Sequence, residues 1–282
     1  MLKFQLKRGW RKTIKQRLLN PSRKTMPVFL VGCGRSGTSM LLHHLGRSWS
    51  VDPFNEDHQA AFNNYRLRPL DVIEKLVDRS YARAAVFKPV ITTPHSCEYL
   101  NRFPNARLIF VYRHYHDVVN SSLNRFGPAD RLAHVNSWMA DNFGKFAPIS
   151  PPEQTKTAIR QLWKPTLSPE SAAALYWLLH NSLWFDLNLH LNERAMLVSY
   201  ESLVADAVPK MRAVCDFLNL KFEPEMADDI RSTSVGRDPQ PVLDRNIETA
   251  CEALWQQLQL AYSRPVNTQA IRRKVLYDDN DL

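Results

Sequence analysis

The stretch PVFLVGCGRSGTSMLLHHL, residues 27–45, decides how the rest of the chain is read. It opens with a short apolar run, Val28 to Gly32, of the kind that forms a buried parallel strand. A glycine-rich turn follows, and then Thr38 to Leu45 has the pattern of a helix. Gly32 and Gly37 stand at the G-x-x-x-x-G spacing of a phosphate-binding loop. A nucleotide triphosphatase would continue with Lys and then Ser or Thr. Here Gly37 is followed by Thr38 and Ser39, so the cradle is present and the lysine is missing.

A strand, a glycine-rich turn and a helix N-terminus together make an anion site, because backbone N–H groups converge there and the helix dipole favours negative charge. Arg35 adds a guanidinium that forks onto phosphate oxygens, and Ser36, Thr38 and Ser39 add hydroxyl donors. Enzymes that move a γ-phosphoryl group use Mg²⁺, the loop lysine and an acid after a neighbouring strand. In this chain the strand ARLIFVY, residues 106–112, runs into Arg113 and not into an acid. A cation therefore stands where a metal ligand would, and the expectation is a metal-free anion site. A sulfuryl group, with one terminal negative charge, suits such a site.

Outward from the loop, Ala84 to Lys88, Ala106 to Tyr112 and Ala195 to Ser199 read as further strands. His116 to Leu123, Glu170 to Leu191, Val208 to Leu218 and Ile247 to Tyr262 read as helices. Residues 126–170 are rich in proline and read as loops and short helices, with a lid among them. Strands alternating with helices predict a single α/β domain, a central parallel sheet flanked by helices, of the P-loop nucleotide-binding type. The division expected is a basic arm over residues 1–24 and one domain over 25–282. In the helix around residue 175, Leu175, Trp177, Leu178, Leu179 and Trp184 read as core, since a helix apolar on most sides is a buried one.

The chain has 282 residues and a formal net charge of +9. Residues 1–24 hold nine Lys and Arg with no Asp or Glu, and the remainder is balanced. The charge is thus a property of the arm and gives no reason to expect nucleic-acid binding by the body. Leu2, Leu6, Trp10, Ile14 and Leu18 recur every fourth residue, so the arm has the pattern of an amphipathic helix. It suits packing on the body, an anionic membrane surface or an organelle transit segment. No apolar run is long enough to span a bilayer and no secretory h-region is present. The four cysteines lack metal-ligand spacing and read as reduced thiols, giving a cytoplasmic expectation with peripheral membrane contact as an option.

GRSGTS after an apolar strand, then an Arg after a later strand with a Ser eight residues on, resembles the 3′-phosphoadenosine 5′-phosphosulfate (PAPS)-dependent sulfotransferases, in their carbohydrate, tyrosylprotein or bacterial forms. The strand-loop-helix around SYESL, residues 199–203, with Pro209 and CDFLNL, is similar to theirs as well, so the match runs over residues 27–220. The resemblance implies that Arg35, Ser36, Gly37, Thr38 and Ser39 hold the 5′-phosphosulfate and that Arg113 and Ser121 hold the 3′-phosphate. Arg237, in SVGRDPQP, would belong to a late loop closing on that phosphate. The family commonly has Asp or Asn and then Pro after the arginine, whereas this chain has His114 and Tyr115.

Sulfuryl transfer to a hydroxyl needs a base and a cation near the bridging oxygen. By the resemblance Glu56 is the base, with Asp57 and His58 as adjacent alternatives, and Lys88 is the strand-end lysine that approaches the sulfate. The implied acceptor is a hydroxyl, on a carbohydrate, with PAPS as co-substrate. Two other readings remain open here: a small-metabolite kinase, and a non-catalytic module that binds a polyanion through the arm.

Overall fold

The computed structural model describes residues 12–144, 150–232 and 234–263. Five strands form one parallel sheet in the order β2-β5-β1-β6-β7. They are β1 (Met26–Gly32), β2 (Val51–Phe54), β5 (Ala84–Phe87), β6 (Arg107–Tyr112) and β7 (Ala195–Ser199). Between β2 and β5 the residues Phe62–Asn63 (β3) and Arg66–Leu67 (β4) make a small antiparallel pair. Apolar residues dominate β1, β5 and β6, with valine, leucine, isoleucine and phenylalanine at the centres of β1 and β6 and alanine beside valine and phenylalanine in β5; these strands are buried apart from the first residue of β1 and of β6. That is the composition a strand needs when helices cover both faces.

One face carries α2 (Thr38–Leu45), α9 (Tyr200–Ala205) and α10 (Ala207–Phe217), with Leu41, Leu45, Val86, Val111 and Met211 in its core. The other carries α3 (Leu70–Arg79), α4 (Ser96–Arg102), α5 (Tyr115–Phe126), α6 (Pro128–Ala140), α7 (Glu153–Leu162), α8 (Pro169–Asp186) and α11 (Arg245–Ser263). The middle of that layer is α8. Leu175, Trp177, Leu178, Leu179 and Trp184 on it are all buried, as the sequence predicts.

Three features differ from the sequence reading. β2 was not expected; its Pro53 and its four-residue length hide it, and its position at the sheet edge is where a proline is tolerated. The proline-rich region is mostly regular, because Pro128 and Pro169 sit in the first turns of α6 and α8 and Pro152 immediately precedes α7. There proline's fixed φ starts a helix and its missing N–H costs nothing. The helix expected to run on to Leu191 stops at Asp186, where Asn188 takes a left-handed φ of 53° before a short 3₁₀ turn.

Residues 1–11 of the arm lie outside the described residues. Residues 12–19 are helical (α1) and docked on the sheet edge. Gln16 Nε2 donates to Asp52 at 2.8 Å, Lys12 pairs with Asp52 at 3.3 Å, and Asn20 Nδ2 donates to the Ala82 carbonyl at 3.0 Å. Gln16 and Asn20 are buried while Ile14, Leu18 and Leu19 face solvent. The uncharged polar residues Gln16 and Asn20 turn inward, while the outward side mixes apolar Ile14, Leu18 and Leu19 with cationic Lys15 and Arg17.

Candidate active site

The turn between β1 and α2 is shaped by its glycines. Gly32 has φ 129°, and a Cβ there would come within 2.2 Å of the Val111 carbonyl oxygen on β6. Gly37, the N-cap of α2, has φ 95°, and a Cβ there would lie 2.4 Å from the Tyr200 ring. Any other residue at either place meets strain and collision at once. The first bond of α2 runs from Leu41 N–H to the Gly37 carbonyl at 3.0 Å, and no acid sits in its first turn. The amides ahead of it are thus left for a ligand or water. Ser36 and Thr38 are buried beneath the turn, and Ser39 is exposed on α2. Arg35 holds a left-handed φ of 72°.

Arg113, at the end of β6, is 6% exposed, so it lies in the molecule and not in bulk solvent. Its Nη2 pairs with Asp117 at 3.1 Å and donates to the Ser234 carbonyl. Its guanidinium carbon stands 4.5 Å from the centre of the Tyr200 ring. Its Nε is buried with no hydrogen-bond partner among the described residues. Trp177 on α8 fixes the chain here by donating to the Arg113 carbonyl at 2.8 Å.

His114 replaces the usual helix-starting residue. Its Nδ1 accepts from the His116 N–H at 3.2 Å, capping α5. That role needs an unprotonated ring, and burial first, then the neighbouring His116, holds the His114 pKa below the ordinary imidazole value. Glu201 accepts from the His114 N–H at 2.8 Å and from Ser199 at 3.1 Å, so the acid of SYESL ties β7 to the start of α5. Tyr200 of the same stretch supports Gly37 and Arg113 and hydrogen-bonds Ser234 at 2.6 Å.

A cavity of about 250 Å³ joins these parts, lined by Arg35, Arg113, Ser121, Arg125, Ser234 and Arg237. Arg35 Nε donates to Ser121 Oγ across it at 3.0 Å. Burial, then the charges of Arg125, Arg113 and Arg131, depress the Arg35 pKa. Within this group Asp117 pairs with Arg113, and Arg237 leans on Asp238 at 3.4 Å. The lining thus sets four guanidiniums against two carboxylates, Asp117 and Asp238, a net positive balance that favours anions. Arg125 was missed by the sequence reading. The signal was there, since it lies four residues beyond Ser121 on α5 and so shares its face.

Glu56 and Lys88 meet as an ion pair, with side chains 16% and 6% exposed. The sheet register brings them together: β2 and β5 run parallel with Phe54 opposite Phe87, and the Lys88 N–H donates to the Phe54 carbonyl at 3.1 Å. Of the neighbours considered with Glu56, Asp57 accepts from Asn55 Nδ2 at 2.9 Å, and His58 is exposed with its ring against Phe54.

A family model described as a sulfotransferase domain matches residues 26–239. The sulfotransferase domain from the curacin biosynthetic pathway superposes with a TM-score of 0.50 at 19% identity, covering 90% of this chain and 98% of its own. A sulfotransferase from Alicyclobacillus acidocaldarius gives 0.46 at 18% identity, with 86% and 95% covered. Mouse sulfotransferase SULT7A1, solved with 3′-phosphoadenosine 5′-phosphate (PAP), gives 0.44 at 16% identity, with 88% and 82% covered. No curated protein is a sequence match to the chain. Since the family's domain model spans well over half the residues, the protein belongs to the sulfotransferase family.

Proposed function

We propose that the protein transfers a sulfuryl group from PAPS to an acceptor hydroxyl. The observation that carries this reading is the convergence of Arg35, Arg113, Arg125 and Arg237 on one small cavity beside the amide-lined turn. Two anionic groups carried by one ribose, at its 3′ and 5′ positions, would offset these charges. The turn and Arg35 to Ser39 hold the phosphosulfate end. Arg113 and Ser121 hold the 3′-phosphate, with Arg237 and Arg125 closing on it. The buried Nε of Arg113 has no partner among the described residues and gains one in the phosphate.

Glu56 takes the proton of the acceptor hydroxyl as its oxygen bonds to sulfur. The bond from sulfur to the bridging oxygen breaks, and its electron pair stays on the 5′-phosphate of PAP. Lys88 stabilises the charge that gathers on that oxygen. The acceptor hydroxyl enters between the paired Glu56 and Lys88, which exchange their mutual contact for contacts to the reactants. No metal is assigned a role, because the residue after β6 is a cation.

For the acceptor we favour a carbohydrate. A second cavity, of about 620 Å³, lies between α1, α2 and β2 and reaches Ser39 and Asn55, the residue before Glu56. Trp49 gives it an aromatic wall, and Lys12 and Arg47 give it cations, which suits a sugar bearing acidic groups. We place the protein in a reducing compartment, in keeping with four unpaired cysteines, and at an anionic membrane surface through the outward side of α1.

Thermal melting with PAP, with ATP-Mg²⁺ and with buffer alone tests the donor, since a ligand of the folded state raises the melting temperature. PAP is expected to stabilise and ATP-Mg²⁺ is not. Stabilisation by ATP-Mg²⁺ without PAP would make the protein a kinase. Transfer of labelled sulfate from PAPS to a panel of glycans tests the acceptor.

A further inference from the structure

We propose that the Tyr176 hydroxyl donates a hydrogen bond to an oxygen of the sulfuryl group in transfer, making Tyr176 a catalytic residue in addition to Glu56 and Lys88. The proposal rests on the PAPS reading above.

Tyr176 sits on α8 facing α5 and α6. Its ring is clamped: it stacks on His180 with centroids 4.1 Å apart and on Trp138 at 5.7 Å, and the Arg131 guanidinium lies 4.0 Å from its centre. Arg131 is fixed in turn, donating from Nε to Ser122 at 2.6 Å and pairing with Asp130 at 3.2 Å. The residue is 8% exposed, and its hydroxyl, which bonds none of the described residues, keeps access to the open space; its backbone carbonyl accepts from His180 Nδ1 at 3.0 Å. A tyrosine with an apolar body held in the core and an accessible hydroxyl is placed to bond a ligand or water.

The position of that hydroxyl says what it can reach. A Cβ added at Gly34, in the middle of the anion-binding turn, would have one heavy atom within 4 Å beyond its chain neighbours, the Tyr176 hydroxyl oxygen at 3.9 Å. The space above Gly34 is otherwise open and has the Tyr176 hydroxyl across it. Glu56 is near enough for its charge to act on the same phenol. The hydroxyl therefore overhangs the turn within reach of the Glu56 charge, and the sulfuryl group held by the turn would pass beneath it. Burial pushes the phenol's pKa up, against the smaller pull of Arg131, so it keeps its proton and has it to donate in a hydrogen bond. The cation over the ring strengthens that donor. The phenol proton is not transferred; the proton that leaves the acceptor goes to Glu56.

The test needs no acceptor. Tyr176→Phe keeps the ring and removes only the hydroxyl. PAP lacks the sulfuryl group, so affinities for PAP and PAPS separate this contact from the rest of the site. In Tyr176→Phe the PAP Kd is expected to stay within about twofold of wild type. The PAPS Kd should rise about tenfold, and slow hydrolysis of PAPS to PAP and sulfate should fall at least as much, as for a hydrogen bond to a charged group. Gly34→Ala, whose methyl fills the gap below the hydroxyl, should reproduce the selective loss of PAPS. An unchanged PAPS-to-PAP affinity ratio in both variants overturns the proposal, and so does equal weakening of both ligands, which would mean that the ring merely supports the turn. Failure of the wild type to bind either ligand would bring down the PAPS reading itself, and this proposal with it.

Discussion

Arg35 Nε donates to Ser121 Oγ at 3.0 Å, linking the turn after β1 to the face of α5 that lies beside Arg113. The two residues stand 86 positions apart in the chain and meet because β1 and β6 are neighbours in the sheet, with Gly32 opposite Val111. In the proposed site the bond spans the gap between the phosphosulfate end and the 3′-phosphate end. Each end then has a separate test.

Arg113 tests the 3′-phosphate end. Arg113→Ala is expected to weaken PAP binding roughly 10- to 100-fold, the worth of a charge-assisted hydrogen bond of about 1.5–3 kcal/mol. Arg113→Lys should not restore it, because lysine cannot contact Asp117, the Ser234 carbonyl and a phosphate in one plane. Titration calorimetry with PAP checks this; wild-type affinity in both variants would remove Arg113 from the site.

Glu56 and Lys88 test the reacting end. Glu56→Gln and Lys88→Ala should each lower sulfuryl transfer by about 10²–10⁴-fold while PAP binds as in wild type. Because the two side chains are in contact, the double variant should lose less than the two single losses multiplied. Full activity in either single variant would pass the base to His58 or Asp57, or the cation to Arg35.

Gly37→Ala probes the turn. The new methyl would press on the Tyr200 ring and force a residue with a side chain to φ 95°, at a cost of about 1–3 kcal/mol. The melting temperature should fall, and PAP affinity should fall with it because Tyr200 also supports Arg113. A melting curve equal to that of the wild type would show that the ring moves aside freely.

Two buried histidines set a pH dependence of stability. Burial depresses His180 to about 3; it lies among Tyr176, Trp138, Arg131 and His134, and the Tyr176 carbonyl bond raises it only in part. Burial likewise depresses His44 to about 4, with Arg47 and His43 adding to the fall and Asp229 and the Met226 carbonyl opposing it. In the unfolded chain both titrate near 6.5. Between these values the unfolded chain binds more protons, so this stability is complete above about pH 6.5 and is lost as pH falls towards 4. The melting temperature should drop over that window, and His180→Gln should flatten the slope.

The arm can be tested without disturbing the fold. Leu18 is 78% exposed on the outer side of α1, whereas Gln16 and Asn20 bond the body. Leu18→Glu should leave the melting temperature unchanged and reduce flotation with anionic vesicles. Equal flotation of the two proteins, or none for the wild type, removes the membrane reading.

The parts of the site legible in the sequence were those built from contiguous residues. Val28 to Leu45 encodes strand, turn and helix through its own apolar run and glycines, and ARLIFVYR encodes a buried strand with a cation at its end. The choice among Glu56, Asp57 and His58 was not legible, because all three adjoin an edge strand that Pro53 disguises. Nor was Tyr176, lost in a helix whose Leu and Trp neighbours read as core, which they are.

The sequence by itself thus determined the glycine-rich turn between β1 and α2, four of the five parallel strands and the absence of an acid after β6. Turn geometry and strand burial depend on neighbouring residues, so they are written locally. Only the tertiary structure decided that Glu56 faces Lys88, that Arg125 and Arg237 share a cavity with Arg35 and Arg113, and that the Tyr176 hydroxyl stands over Gly34. Those relations follow from the β2–β5 register and from the packing of α5, α6 and α8, which couple residues far apart in the chain through contacts that no local pattern records.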